Sequence, residues 1–92
     1  MNNDTVKIII KGRVQGVSYR SFALKQAKTF NISGWVKNED NGDVKAYAEG
    51  DREDLDQYIK YLKRGPIFAR VDKVILKLEA EDKTYNDFQI LK

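Results

Sequence analysis

The chain has 92 residues, a length that fits one small domain over residues 1–92. It has neither cysteine nor histidine, which removes disulfides, thiolate nucleophiles, imidazole bases, zinc fingers and Ser-His-Asp triads. Lys and Arg total 17 against 14 Asp and Glu, and the net charge of +3 favours an anionic small molecule over a nucleic acid, although a solvated mixed-charge surface is the commoner meaning of so mild a balance. No apolar run approaches the roughly 18 residues of a membrane span. Met1-Asn2-Asn3-Asp4 lacks the basic and apolar regions of a secretory leader. The expectation is a cytoplasmic protein with no membrane partner.

Residues 5–13 are rich in β-branched side chains and read as a first strand ending at Gly12. Val6, Ile8 and Ile10 share one face, and Ile9 lies opposite between Lys7 and Lys11. A loop follows, Val14-Gln15-Gly16-Val17-Ser18-Tyr19. From Arg20 to Phe30 the pattern is helical, with Ala23, Ala27 and Phe30 on one stripe broadened by Tyr19, Phe22 and Leu24. Asn31 is a C-terminal stop.

Residues 32–39 and 43–50 read as the second and third strands. Asn41-Gly42 between them predicts a type I′ hairpin turn, whose two central residues both need positive φ. Val44, Ala46 and Ala48 form one face of the third strand. Asp51 stands as an N-cap, with Glu53 and Asp54 in the first turn of the next helix. Leu55, Tyr58, Ile59 and Leu62 make its apolar stripe. Lys63-Arg64-Gly65-Pro66 ends it, with Gly65 expected in the left-handed αL region. Residues 69–81 predict a fourth strand in which Val74, Leu76, Leu78 and Ala80 share a face. Val71 is out of phase with that row, which implies a bulge or a late strand start. Phe88 and Ile90 predict a short closing strand.

The order β-α-β-β-α-β plus a short C-terminal strand implies an α+β, ferredoxin-like split βαβ fold. In it two helices cover one face of an antiparallel sheet. That fold hosts many activities, so function must come from the site.

Two segments carry chemistry. Gly12-Arg13-Val14-Gln15-Gly16-Val17-Ser18-Tyr19-Arg20 combines a tight backbone turn, a helix N-terminus and a guanidinium, which together suit phosphate. Taken alone, it is equally compatible with an ordinary tight β-α turn. The Walker and GxGxxG patterns are absent. In Gly34-Trp35-Val36-Lys37-Asn38, the asparagine amide offers a donor and an acceptor that suit it to holding a water. Alone, Asn38 reads better as the start of the hairpin turn than as a water-holding residue, and Trp35 as core or sheet-face packing rather than a ligand platform.

Together these segments resemble the two signatures of the acylphosphatase family. Gly12-Arg13-Val14-Gln15-Gly16-Val17-x-Tyr19-Arg20 is similar to the first. Gly34-Trp35-Val36-Lys37-Asn38-x-x-x-Gly42-x-Val44, followed by Gly50, is similar to the second, and Gly65-Pro66 with Ala69 and Val71 extends the match. Ser18 stands where the family often has glycine, and Tyr19 where it often has phenylalanine. The resemblance implies hydrolysis of small-molecule acyl phosphates to carboxylate and inorganic phosphate. It implies that the 15–20 loop (Gln15, Gly16, Val17, Ser18 and Tyr19) binds the phosphate with Arg20, and that Asn38 positions the attacking water. It implies no cofactor and no metal, with phosphate and sulfate as competing anions. Glu39, Asp40 and Asp43 are expected to be a solvated acidic turn rather than a magnesium site.

Two other readings compete with this one. An RNA-binding module would need aromatics on the first and third strands, where only Tyr47 is found. An inactive regulatory domain fits poorly with retention of both Arg20 and Asn38. A monomer is the simplest expectation.

Overall fold

A computed structural model describes residues 3–81 and 83–92. It comprises β1 (Asp4–Arg13), α1 (Tyr19–Thr29), β2 (Ser33–Asn38), β3 (Val44–Gly50), α2 (Arg52–Arg64), β4 (Arg70–Lys77) and β5 (Phe88–Ile90). The sheet order is β4-β1-β3-β2-β5. β1 pairs antiparallel with β3 and β4, and β2 pairs antiparallel with β3. The split βαβ order is as expected, and the antiparallel description needs one correction. β5 pairs parallel with β2, so the sheet is mixed.

Val6, Ile8 and Ile10 of β1 and Val44, Ala46 and Ala48 of β3 are all buried in one core with Val36. The alternation read from the sequence sets that face. α1 lies against β2 and β5, and α2 against β1, β3 and β4. Tyr19, Ala23 and Ala27, each four residues apart, turn inward from α1, and the two alanines let its backbone approach the sheet closely. Leu55, Tyr58 and Leu62 turn inward from α2. The Tyr58 hydroxyl donates to the Ala23 carbonyl at 3.1 Å and so ties the helices together.

The far face of the sheet carries a second, smaller cluster. Trp35 and Tyr47, opposite each other on β2 and β3, stack with centroids 6.3 Å apart. Tyr85 packs on Tyr47, and the Glu81 N–H donates to the Tyr47 hydroxyl at 3.1 Å. Tyr47 is 1% exposed, so this face offers bases no stacking platform.

Several local expectations change. The fourth strand ends at Lys77, not at residue 81. Leu76 on β4 and Leu78 just past its end are both exposed, at an edge strand of the sheet. The expected bulge is present: the β1–β4 register shifts between Lys11 and Gly12, leaving Asp72 as the extra residue. The hairpin has a different turn from the one expected. Gly42 has φ 98°, but Asn41 is not in the positive-φ region. The Gly42 N–H donates to the Glu39 carbonyl, which makes a type I turn followed by glycine, with a three-residue loop. The Asn41 side chain favours that form by accepting the Asp43 N–H at 3.0 Å. Gly65 has positive φ (71°), but its ψ of 173° lies outside αL. Asp51 is at the N-cap position without a side-chain capping bond. Asn31, with φ 58°, follows α1 as expected of a stop.

Candidate active site

Strand direction brings the two signature segments together. β1 and β2 both run antiparallel to β3, so they point the same way, and β5 is parallel to β2. The loop after β1, the last residue of β2 and the end of β5 therefore meet at one edge of the sheet. A cleft of about 150 Å³ opens there, lined by Val14, Gly16, Ser18, Tyr19, Arg20, Ser21, Asn38 and Ile90.

Two glycines hold the strands that frame it. Gly12 and Gly34 both have φ 137°. A Cβ on Gly12 would collide with the Arg70 carbonyl, and one on Gly34 with the Tyr47 carbonyl. Close backbone approach across the sheet thus requires glycine at both places.

The loop ends in an open helix N-terminus. Ser18 adopts φ 63° and ψ 26°, a left-handed conformation that explains why glycine also suits this position. The first intrahelical bond runs from the Phe22 N–H to the Ser18 carbonyl at 3.1 Å. The N–H groups of Tyr19, Arg20 and Ser21 consequently have no acceptor within the helix. The Ser18 side chain makes no capping hydrogen bond, and no acid lies in the first turn. The positive end of α1 is left facing the cleft, where it favours an anion.

Arg20 and Asn38 come from different elements and line the same cleft. Arg20 is half-buried, and its Nη1 donates to the Leu91 carbonyl at 3.4 Å. Asn38 Oδ1 is buried and has no hydrogen-bond partner among the described residues. A buried acceptor left unpaired costs about 1–3 kcal/mol, so it is a strong potential site for a donor such as water.

The other loop residues divide by where their side chains go. Gly16 and Ser18 line the cleft and are exposed. Tyr19 lines it at the base but sends its ring into the core, where its hydroxyl donates to the Leu62 carbonyl at 2.6 Å. Burial raises the Tyr19 phenol pKa well above its ordinary value and keeps it neutral. Val17 packs partly against the core. Gln15 turns its side chain away from the cleft toward the β2–β3 hairpin. Tyr19, Val17 and Gln15 could therefore meet a phosphate only through their main chains.

Ile90 was not anticipated as a lining residue. It reaches the site because β5 adds parallel to the β2 edge, a pairing that a three-residue strand does not announce in sequence. The hairpin acids have local partners: Asp43 pairs with Lys11 at 2.7 Å, and Glu39 with Lys37 at 3.6 Å.

Comparison with known proteins shows the family. The family model described as acylphosphatase matches residues 6–90. An acylphosphatase of Geobacter sulfurreducens is 42% identical over 83 residues, covering 90% of this chain and 91% of that one. One from Thermus thermophilus is 47% identical over 66 residues, covering 72% of this chain and 75% of that one. The crystal structure of acylphosphatase from Bacillus subtilis superposes with a TM-score of 0.91 at 33% identity, covering 96% of this chain and 98% of that one. On a match spanning nearly its whole length, this chain belongs to the acylphosphatase family, hydrolases that act on acid anhydrides.

Proposed function

We propose that the protein hydrolyses the carboxyl–phosphate bond of small acyl phosphates, with the phosphate held between the 15–20 loop and Arg20. The observation that carries this reading is the meeting of Arg20 and Asn38 in one cleft at the open N-terminus of α1. The backbone N–H groups and the guanidinium supply fixed donors to the phosphoryl oxygens. Arg20 offers two parallel hydrogen bonds from a planar cationic fork. Such donors stabilise the charge that spreads over those oxygens in the transition state.

Asn38 holds the attacking water. Its Oδ1 accepts a hydrogen bond from the water and so turns the water's lone pair toward phosphorus. The water oxygen forms a bond to phosphorus as the bond from phosphorus to the acyl oxygen breaks. The electron pair leaves with the carboxylate, whose conjugate acid has a pKa of about 4, so no general acid is required. A phosphoryl oxygen of the substrate accepts the water's proton. The products are a carboxylate and inorganic phosphate. This route assigns no step to imidazole, thiolate or a metal ion.

The same reading makes inorganic phosphate and sulfate competitors for the cradle, and takes the enzyme as a cytoplasmic monomer. Among the described residues no helix is long and apolar enough to cross a membrane. Inhibition kinetics test the anion site. Phosphate and sulfate should raise KM for benzoyl phosphate without changing kcat. Purely noncompetitive inhibition would move the anion site away from the loop.

A further inference from the structure

We propose that Gln15 is a positioning residue, whose side-chain amide holds the β2–β3 hairpin, and with it Asn38, in place against the phosphate loop. This rests on the assignment of Asn38 to the attacking water. Gln15 belongs to the loop that leads to Arg20, yet it does not line the cleft. Its Nε2 donates to the Glu39 carbonyl and to the Asp43 carbonyl, each at 2.8 Å, in a partly buried setting. Both hydrogens of the amide nitrogen are thereby engaged. Glu39 and Asp43 are themselves joined, the Glu39 N–H donating to the Asp43 carbonyl at 2.8 Å. They lie one step outside the Asn38–Val44 pair. The clamp therefore closes on the hairpin one residue beyond Asn38. The ion pair between Lys11 and Asp43 at 2.7 Å braces the same corner from β1.

The two halves of the site are carried by different segments: the anion cradle by the β1–α1 loop, the water-holding amide by β2. Gln15 joins them by hydrogen bonds at their outer edge. An attack along the line of the breaking bond tolerates little error, since a 1 Å misplacement can cost roughly 10²-fold in rate. Loss of the clamp should therefore slow turnover while phosphate binding, held by loop N–H groups and Arg20, stays intact.

The test is a double-mutant cycle with Gln15→Met, which keeps the length and removes both donors, in wild-type and Asn38→Ala backgrounds. With Asn38 present, Q15M should lower kcat for benzoyl phosphate by about 10- to 100-fold and change the phosphate inhibition constant by less than about twofold. With Asn38 replaced, the same change should cost less than about twofold, because nothing remains to be positioned. Gln15→Lys, which restores N–H donors, should recover part of the lost kcat, and it serves as the second variant if Q15M fails to fold. In NMR spectra the Asn38 side-chain amide should move in Q15M while core amides stay in place. Equal losses in both backgrounds, a parallel loss of phosphate affinity, an unmoved Asn38 amide or a Q15K no better than Q15M would overturn the proposal. Wild type unable to hydrolyse benzoyl phosphate would instead overturn the reaction assigned to the site, and the Asn38 resonances alone would then decide whether the clamp exists.

Discussion

The Tyr19 hydroxyl donates a 2.6 Å hydrogen bond to the Leu62 carbonyl. Leu62 lies in the last turn of α2, where carbonyls have no partner within the helix. The first residue of α1 thus satisfies the end of α2, across the core. Tyr19→Phe keeps the ring and leaves that carbonyl unpaired. The expected loss is about 1–3 kcal/mol of stability, read from chemical denaturation, with kcat reduced far less than by changes at Arg20 or Asn38. An unchanged denaturation midpoint would show that the bond contributes nothing net.

The same burial predicts an alkaline limit. Burial raises the Tyr19 phenol above its ordinary value of 10.0. It also raises Tyr58, whose ring lies wholly in the core, with a smaller contribution from Tyr19. Because the folded-state values exceed the unfolded ones, the unfolded chain loses protons first as pH rises. The stability contribution is full below the unfolded value and declines as pH climbs from about 10 toward the raised folded values. Denaturation midpoints should be insensitive to these groups up to about pH 9 and fall above about pH 10, less steeply in Tyr19→Phe. A flat profile through pH 11 would contradict this.

Gly34→Ala tests the backbone contact that places β2. Its φ of 137° is strained for alanine, and a Cβ would strike the Tyr47 carbonyl. Strain and overlap together should cost about 2–4 kcal/mol, seen as a lower midpoint with little change in denaturant dependence. A variant as stable as wild type would mean that the two strands separate readily at this point.

Asn38→Ala removes the carboxamide proposed to hold the attacking water. It also removes a buried acceptor that is unpaired among the described residues. Turnover of benzoyl phosphate should fall by at least about 10²-fold. Stability should hold or rise slightly, since an unpaired buried acceptor is a cost. The two outcomes are linked: a variant that is less stable and still active would reverse both halves of the reading.

The fold was legible where side-chain periodicity meets a face with one clear environment. β1 and β3 alternate cleanly because one face meets α2 and the shared core, and Val6, Ile8, Ile10, Val44, Ala46 and Ala48 are all buried. β4 alternates equally well in sequence, but Leu76 and Leu78 stay exposed. Periodicity reports which residues share a face, and cannot report whether anything lies over it. The hairpin was evident from Asn41-Gly42, while its turn type followed from the Asn41 side chain binding Asp43, one residue beyond the pair. Trp35 was read as packing on the sheet, and it stacks on Tyr47 on the far face.

At the site, Arg20 and Asn38 were singled out by residue type and motif, and the fold brings them to one cleft. The use of each loop side chain was not legible. Gln15 and Tyr19 both belong to the loop motif, yet one reaches the hairpin and the other the core. Those destinations depend on partners 24 and 43 residues away, which no local spacing encodes. Ile90 was hidden for the same reason, since its position follows from the β2–β5 pairing.

The central claim is that a planar, bidentate cation and an oriented water suffice for the chemistry. The most direct measurement is hydrolysis of benzoyl phosphate in excess EDTA by wild type and by Arg20→Lys, with folding checked by circular dichroism. Lysine keeps the charge and loses the fork. The account predicts sustained turnover by wild type and a loss of about 10²–10³-fold in kcat for the folded variant, equivalent to about 2.7–4 kcal/mol of transition-state stabilisation. Wild-type activity abolished by EDTA and restored by a metal, or near-normal kcat in Arg20→Lys, would contradict it.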